Sequence, residues 1–470
     1  MERFINRQEE LNTLEKEYAN PASSFVVVYG RRRVGKTSLI AEFIGRHKES
    51  ALYFLATEES EAQNLKAFRA QAANFAGNEL LKTADAGWEL VFKEIVNKKN
   101  AAKKIIVIDE FQYIGQSNPA FPSVVQKIWD TVLKEANVML ILCGSLVSLM
   151  KSQVLDYSSP LYGRRTAQIK LKQIEFKHYC DFFGNNKTAE ELLPYYAVTG
   201  GVPKYIEIFR EHKNIYEAIR ENILTRNSFL YEEPYFLLQN EVSETGSYFS
   251  IIKSIAAGNH KPGKIATNIG IKQTSLPKYL KTLMDLDILE REVPVTENNP
   301  EKSKMSMYRI KDNFLRFWFR FVYPERWRLE LDQSDYVLER IKANFIDNHV
   351  AHIYETVCRS ELWRLAFAGE LQFNKLGRWW NSKAEIDIVA LDSTGDDIIF
   401  AECKYRNQLM DVDIFYALLD KKEYVPWKKE QRKEKFVLFS ISGFTEQLQN
   451  LAAERSDLLL FGGDGNEWQL

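Results

Sequence analysis

Residues 24–37 read SFVVVYGRRRVGKT, an apolar run followed at once by a glycine-rich stretch. The run from Ser24 to Tyr29 is typical of a strand that is buried on both faces of a parallel sheet. The stretch from Gly30 to Thr37 matches the pattern G-x-x-x-x-G-K-T, and helix-forming residues follow from Ser38 to Phe43. Because a strand, a loop and a helix occur in this order, the pattern predicts a phosphate-binding loop, or P-loop.

The chemistry of such a loop gives each motif residue a role. Gly30 and Gly35 allow backbone N–H groups to turn toward a phosphate. The first helical turn, at Lys36, Thr37 and Ser38, adds its N–H groups and the positive end of the helix dipole. The Lys36 ammonium neutralises phosphate oxygens, and the Thr37 hydroxyl ligates Mg²⁺. The sequence therefore predicts that the chain binds ATP with Mg²⁺ and hydrolyses it.

Two further β-prone stretches end in residues that suit the same site. The first, Ile105 to Ile108, is followed by Asp109 and Glu110, which places two carboxylates at the edge of a parallel sheet where α/β folds bind ligands. Asp109 is predicted to hold Mg²⁺, and Glu110 to polarise the attacking water. The second stretch precedes Ser145, which is predicted to contact the γ-phosphate or the water. An ordinary turn serine is the alternative.

Composition limits the kind of protein and its location. The 470 residues, 45% hydrophobic and 27% charged, exceed one compact core and suit a globular chain of three or four domains. The net charge of -1 gives no chain-wide positive field that would draw the chain to nucleic acid. The apolar runs are too short to cross a bilayer and the first residues lack a signal core, so we expect a cytoplasmic protein with no membrane partner. The four cysteines contain no CxxC pair and indicate neither a zinc site nor a disulfide framework.

These features resemble those of the AAA+ and STAND group of P-loop ATPases, and specifically the archaeal-type ATPase family of archaea and many bacteria. The resemblance covers most of the chain. The stretch FINRQEEL, at residues 4–11, is similar to that family's opening F-x-x-R-x-x-E-L segment, which lies near the adenine. The resemblance implies an AAA+-like parallel sheet around the P-loop.

The same resemblance assigns two later segments to the nucleotide site. It implies that Arg164 or Arg165, in the stretch 159–165, senses the γ-phosphate, and that Pro203, in the stretch 199–205, packs near the nucleotide. A planar guanidinium suits the sensing role because it pairs with phosphate oxygens as charge develops. A surface ion pair is the alternative for the two arginines.

The middle of the chain is helical and then mixed. Residues from Thr188 to Glu233 show helical spacing and predict a lid on the ATPase core. Three helical stretches then precede two β-prone stretches, Leu289 to Val293 and Met307 to Ile310, in the order of a winged helix. Its last helix carries lysines followed by acidic residues, so DNA binding and a clamp on the nucleotide domain both stay open. The aromatic residues from Phe314 to Tyr323 are interpreted as packing, because base stacking needs exposed rings beside basic residues.

Strand parity predicts a second chemical site near the end of the chain. Residues two apart share a strand face, so Glu402 and Lys404 point the same way, and Asp387 lies one hairpin away. Asp387 and Glu402 are predicted to ligate Mg²⁺, with Glu355 assisting from a helix. Lys404 is predicted to orient or activate water for phosphodiester cleavage.

The segment resembles the PD-(D/E)xK nuclease fold, although no proline precedes Asp387. The whole sequence therefore predicts a multidomain α/β protein, an ATP-driven switch coupled to a DNA-directed nuclease-like domain. A signalling or scaffold ATPase that cleaves nothing is the alternative, and a ring-forming remodeller with nucleotide-dependent self-association is a third. The predicted domains are a P-loop ATPase core at 1–170, a helical lid at 171–235, a winged helix at 236–325 and a nuclease-like domain at 326–470.

Overall fold

A computed structural model of the chain describes residues 4–99, 102–184 and 187–462. The first three residues and the last eight of the predicted nuclease-like domain lie outside the described residues. The chain divides into two compact units, called unit 1 and unit 2. Unit 1 consists of Met1–Ile174, Val202–Lys204 and Leu237–Ser243, and unit 2 of Glu175–Gly201, Tyr205–Phe236 and Glu244–Leu470.

Unit 1 is built on a five-stranded parallel sheet in the order β2-β3-β4-β1-β5. The strands are β1 (Ser24–Tyr29), β2 (Ala51–Leu55), β3 (Lys104–Asp109), β4 (Val138–Gly144) and β5 (Ala167–Lys170). Strands β1, β3 and β4 are buried along their whole length, as expected of runs without polar alternation. The predicted parallel sheet of the P-loop domain is confirmed.

Helices cover both faces of this sheet. On one face Val26 and Val28 share a core with Leu11 of α1 and Phe43 of α2. On the other face Phe25 packs against Trp129, which follows α7. The helices of this unit are α1 (Gln8–Ala19), α2 (Lys36–Arg46), α3 (Glu61–Ala76), α4 (Leu80–Thr83), α5 (Trp88–Asn97), α6 (Gln112–Ser117), α7 (Phe121–Ile128) and α8 (Val147–Met150).

The first part of unit 2 is mainly helical, as the residue spacing predicts. Helices α10 and α12 contribute residues to both units. The helices are α9 (Ala189–Thr199), α10 (Pro203–Arg210), α11 (Ile215–Ile219), α12 (Glu233–Gln239), α13 (Thr245–Ala256), α14 (Pro262–Ile269), α15 (Leu276–Asp285), α16 (Asn313–Phe317), α17 (Arg326–Leu329) and α18 (Ser334–Lys342). Strands β6 (Leu289–Glu292) and β7 (Met307–Ile310) pair antiparallel after α15.

The last part of unit 2 contains a mixed five-stranded sheet in the order β12-β11-β10-β9-β8. Strands β8, β9 and β10 pair antiparallel, whereas β10, β11 and β12 run parallel. Phe415 and Leu418 of α20 join the buried core of this sheet. The elements are α19 (Ala351–Phe367), β8 (Lys375–Trp380), β9 (Glu385–Leu391), β10 (Asp397–Lys404), α20 (Val412–Lys422), β11 (Lys433–Ser440), α21 (Glu446–Glu454) and β12 (Leu458–Phe461).

None of the helices in the described residues combines the length and the apolar character that a bilayer crossing requires.

The buried side chain of Lys103 forms hydrogen bonds to carbonyl oxygens near the end of α1. The Lys103 Nζ donates to the carbonyl oxygens of Glu17 at 3.0 Å, Asn20 at 2.8 Å and Ala22 at 2.7 Å. These carbonyls lie at the end of α1 and beyond it, where no helical N–H is left to reach them. Burial lowers the pKa of Lys103, and the Glu17 carboxylate opposes this shift.

We expect Lys103→Met to destabilise unit 1, because three carbonyl oxygens lose one charged donor. The cost of such unsatisfied acceptors is about 1–3 kcal/mol, and each kcal/mol lowers the melting temperature by roughly 2–4 °C in a domain of this size. Thermal unfolding followed by fluorescence measures the change. Lys66→Met, on an exposed position of α3, is the matched control, and an equal shift in both variants would contradict the assignment.

Candidate functional site

The predicted P-loop connects the end of β1 at Tyr29 to the start of α2 at Lys36. Gly35 caps the helix with a φ of 94°, a left-handed conformation that side-chain-bearing residues rarely adopt. A Cβ on Gly30 would lie 2.3 Å from the carbonyl oxygen of Leu171, so a larger residue does not fit there. Gly35 is therefore required by its backbone conformation, and Gly30 by the close approach of Leu171.

The side chain of Lys36 lies inside this loop. Its Nζ donates to the carbonyl oxygens of Gly30 and Arg31, each at 2.8 Å, and the residue is buried. Burial lowers the pKa of Lys36, while nearby acidic groups that include Glu110 and Asp109 oppose the shift. A buried ammonium surrounded by loop carbonyls and N–H groups is suited to neutralise phosphate oxygens.

Asp109 meets Thr37 at the carboxyl edge of the sheet. The Thr37 Oγ1 donates to the Asp109 carboxylate at 3.2 Å, and the Tyr53 hydroxyl donates to the same oxygen at 2.8 Å. An alcohol oxygen and a buried carboxylate at this spacing form a donor set that suits Mg²⁺, which prefers oxygen ligands. Ser38 follows on the exposed side of the first helical turn. The residues present therefore fit the metal that the motif implies.

Glu110 and Ser145 lie together beside Asp109. The Ser145 hydroxyl donates to the Glu110 carboxylate at 2.7 Å, and the Ser145 N–H donates to the same oxygen at 3.2 Å. Glu110 has a φ of 52°, an uncommon conformation for a residue with a side chain and one that recurs at functional sites. The structure brings these two predicted residues into direct contact and only partly buries Glu110.

Arg7 of the opening segment also contacts the P-loop. The Arg7 guanidinium donates to the carbonyl oxygens of Val34 and Lys172, and it pairs with Glu10 at 3.2 Å. Arg7 therefore links the chain's opening segment to the loop by hydrogen bonds. The family-like spacing of an arginine and a glutamate in residues 4–11 was the signal for this contact.

Two short segments from later in the chain also belong to this unit. A Cβ on Gly35 would lie 3.9 Å from the Pro203 ring, which places this proline beside the P-loop. The Glu241 carboxylate accepts the N–H groups of Val147 at 3.1 Å and Ser148 at 3.2 Å. Burial raises the pKa of Glu241, and these hydrogen bonds oppose the shift. No sequence pattern pointed to Glu241.

Arg164 and Arg165 lie at the wrong edge of the sheet for the predicted role within one chain. Thr166 N–H donates to the carbonyl oxygen of Phe25 at the start of β1, whereas the P-loop follows the other end of that strand. At about 3.3 Å per residue the two ends are roughly 16 Å apart. The Arg164 guanidinium pairs instead with Asp130 at 2.8 Å. For Arg164 this is the surface ion pair that the sequence left open as the alternative.

The structure places the second set of predicted residues on one face of the β9–β10 pair. Ile388 faces Ala401 in the antiparallel register, so the next pair along is Asp387 with Glu402. Asp387 accepts the N–H of Cys403 at 3.1 Å. Glu402 is buried and pairs with Lys404 at 2.8 Å.

The charged side chains of this group shift one another's pKa values. Burial and the Glu402 carboxylate raise the pKa of Asp387. Burial alone would lower the pKa of Lys404, but Glu402 and Asp387 raise it above its ordinary value. Lys404 is therefore held as a cation, which suits charge stabilisation and not the removal of a proton from water. Lys421 adds a second cation at 3.0 Å from Glu402.

The helix carboxylate is held by an arginine that sequence reasoning missed. Arg378 of β8 is buried and forms ion pairs with Glu355 and Glu385, and its Nε lies 3.9 Å from Glu292 of β6. Burial raises the pKa of Glu355, Arg378 opposes the shift, and Asp387 adds to it. An isolated arginine beside Trp379 in a strand was the available signal.

Glu355, Asp387 and Glu402 are the residues predicted to hold a metal at this end of the chain. In the described part of the chain, their ligand atoms do not all lie within 4.8 Å of one another. Glu355 pairs with Arg378, and Glu402 pairs with Lys404 and Lys421. The described residues that do meet this distance are His212, Glu217 and Glu221.

Comparisons with known proteins identify the family and the fold of the ATPase domain. A family model described as an ATPase domain predominantly from Archaea matches residues 4–209. A second model, described as archaeal and bacterial proteins of unknown function, matches residues 318–422. The Walker-type ATPase of Pyrococcus abyssi is 19% identical with a TM-score of 0.51, and the match covers 67% of this chain and 96% of that chain. This likeness shows the P-loop ATPase fold.

Two proteins of Methanocaldococcus jannaschii are similar in sequence. An uncharacterized ATP-binding protein is 47% identical over 45 residues, which are 10% of this chain and 76% of that protein. An uncharacterized protein is 35% identical over 413 residues, which are 87% of this chain and 89% of that protein. The chain therefore belongs to the family of archaeal and bacterial proteins that carry a P-loop ATPase domain found predominantly in Archaea.

Proposed function

We propose that the chain is an ATP-binding and ATP-hydrolysing switch of the AAA+/STAND type. The observation that supports this best is the meeting of Lys36, Thr37 and Asp109 at one sheet edge, with Thr37 and Asp109 3.2 Å apart. Strands β1 and β3 both end at this edge, which is where parallel α/β sheets bind ligands.

The roles follow from the geometry of this chain's own groups. Backbone N–H groups at the start of α2 and the Lys36 ammonium bind the phosphates. Mg²⁺, when held by Thr37 and Asp109, supplies charge neutralisation on the phosphate oxygens. The Glu110 carboxylate orients the attacking water, and Ser145 positions Glu110 through its 2.7 Å hydrogen bond.

Self-association is part of this proposal. Because Arg165 lies at the sheet edge opposite its own P-loop, a phosphate contact from this arginine requires a second copy of the chain. Size-exclusion chromatography with and without ATP measures the association.

For unit 2 we propose a winged helix followed by a nuclease-like domain directed at DNA. The support is the order of α13, α14, α15 and the β6–β7 hairpin, and the shared face of Asp387, Glu402 and Lys404. The alternative is a scaffold that binds partners and cleaves nothing. The alternative is favoured by the pairing of Glu355 with Arg378, which compensates the carboxylate without a metal.

We expect Lys36→Ala to weaken ATP binding by roughly 10- to 100-fold, because a charge-assisted contact worth about 1.5–3 kcal/mol is lost. Calorimetric titration with ATP and Mg²⁺ measures the affinity. Lys48→Ala, an exposed lysine after α2, should bind as the unaltered chain does. Unchanged affinity in the Lys36 variant would remove the P-loop assignment.

Glu110→Gln should keep ATP affinity and reduce turnover by about 10²-fold or more, since the Mg²⁺ ligands stay while the group that accepts a proton from water is neutralised. Phosphate release under saturating ATP measures turnover. Glu58→Gln is the control at an exposed position. Equal turnover in both variants would reduce Glu110 to a strand-end residue.

Asp387→Asn should raise the melting temperature at pH 8. A carboxyl group whose folded pKa lies above its unfolded pKa opposes folding once ionised, so the gain should shrink as the pH falls toward 4, where the unfolded Asp is already about half protonated. Each kcal/mol corresponds to roughly 2–4 °C. Thermal unfolding at pH 4, 6 and 8 measures the effect. Asp392→Asn is the opposite control, because hydrogen bonds from Thr394 lower the pKa of Asp392.

A lower melting temperature of Asp387→Asn at pH 8 would show that the ionised Asp387 carboxylate does not destabilise the folded chain. In the same variant, Mg²⁺-dependent nicking of DNA should disappear while ATP hydrolysis continues. A chain that binds DNA but never cuts it with any divalent metal would leave the scaffold alternative.

A further inference from the structure

Three adjoining cavities in unit 2 form one groove along the end of α13. Their volumes are about 750, 520 and 50 Å³, and Ala256 and Arg320 line all three. We call this feature the basic groove, because its walls carry a cluster of cationic side chains. The cations are Lys253, Arg309, Arg316, Arg320, Arg326 and Arg340.

Three of these cations form no ion pair with a carboxylate of the described residues. Within the described residues, no carboxylate lies within ion-pair distance of Lys253, Arg316 or Arg320. The Nε of Arg316 is buried without a hydrogen-bond partner. Burial and the neighbouring guanidiniums of Arg320 and Arg309 lower the pKa of Arg316 to about 10. Like charges gathered in a cavity without counter-charges create a strong attraction for an anion.

The acidic residues that line the groove do not offset this charge. Glu325 is already paired with Arg328 at 3.0 Å and with Arg340. Glu330 accepts a hydrogen bond from Tyr231 at 2.7 Å and lies 3.8 Å from Arg326. Among the described residues, Lys253 and Arg320 therefore keep no ion-paired carboxylate, and Glu355 acts on Arg316 from beyond ion-pair distance.

The widest cavity also presents aromatic rings beside these cations. Tyr323 lies under the Lys253 ammonium at 5.3 Å from ring centre to Nζ, and Trp327 is 55% exposed. Most of the aromatic block before Tyr323 is buried, Phe314 and Phe317 included, as its interpretation as packing requires. An exposed indole and a half-buried phenol ring, next to cations without ion-paired carboxylates, suit the stacking of unpaired bases and the binding of their phosphates.

The narrow end of the groove borders the carboxylate group described above. Arg309 lines the smallest cavity, pairs with Glu292 at 2.7 Å and lies 4.0 Å from Glu385. Arg316 lines the same cavity and is close enough to Glu355 for that carboxylate to raise its pKa, against the larger effect of burial. A phosphate held at Arg316 would lie next to the group formed by Glu355 and Arg378.

We propose that the basic groove binds a single strand of nucleic acid, with backbone phosphates at Arg320 and Arg316 and bases against Tyr323 and Trp327. A single strand is the occupant that the rings favour, because stacking on a side chain requires unpaired bases. This inference rests on the proposal that unit 2 acts on nucleic acid, and it locates the strand away from α15.

The test is fluorescence anisotropy of the full chain with a labelled 20-nucleotide oligodeoxythymidine, in single-stranded and duplex form. Lys253→Ala combined with Arg320→Ala removes two exposed cations and should weaken single-strand binding at least tenfold. The slope of log Kd against log salt should fall by about 1.4, since each lost phosphate contact removes about 0.7. Trp327→Ala should weaken binding at least fivefold.

Two further double variants make the result specific. Lys213→Ala with Lys429→Ala removes two exposed cations elsewhere in unit 2 and should leave affinity unchanged. Lys278→Ala with Lys281→Ala removes two cations of α15 and tests that helix as the binding surface. The groove is overturned if the unaltered chain does not bind the oligonucleotide at 50 mM salt (roughly the low end of the range where such contacts dominate), if it prefers the duplex, or if only the α15 variant loses binding.

Cleavage separates this inference from the proposed nuclease-like activity. Binding through the groove without any cutting supports the groove and removes the nuclease. Cutting that persists at full rate in the Lys253 and Arg320 double variant removes the groove and leaves the nuclease.

Discussion

The carboxylate of Asp109 is buried at the carboxyl end of a central strand, and this single charge organises the nucleotide site. A buried carboxylate is costly unless hydrogen bonds or a cation compensate it. Here Thr37 and Tyr53 donate to it, and the Lys36 ammonium lies in the same field. Because parallel strands end at one edge, the compensation brings together residues that are far apart in sequence.

In unit 2, buried carboxylates are compensated by arginine and lysine side chains of the same unit. Arg378 pairs with Glu355 and Glu385, and Lys404 and Lys421 pair with Glu402. For Glu355, this pairing opposes but does not cancel the rise in pKa that burial causes. The hairpin strand β6 takes part through Glu292, which meets Arg309 and Arg359. The position of the hairpin is thereby linked electrostatically to the carboxylate group.

Local pattern was sufficient where one strand decides the outcome. The buried strands and the P-loop followed from continuous apolar runs and glycine spacing, and strand parity placed Asp387 opposite Glu402. Local sequence pattern failed where a residue makes its contacts with segments that are distant in sequence. Glu241 and Arg378 are each a single charged residue, and each contacts segments that are distant in sequence. No motif around either residue predicts these contacts. The ion pair of Arg164 with Asp130 was predictable only as one of two alternatives, because strand order, and hence the edge that a loop occupies, is not contained in a local motif.

The segments Val202–Lys204 and Leu237–Ser243 belong to unit 1 although unit 2 residues lie between and around them. During synthesis, domains generally fold as units from the amino terminus. Unit 1 cannot do so in isolation, because Pro203 and Glu241 arrive long after the P-loop. The nucleotide site is completed only once the ribosome has passed residue 243, so its assembly is timed to the synthesis of the helices between. A fragment ending at Ile174 would carry the motif without the finished site.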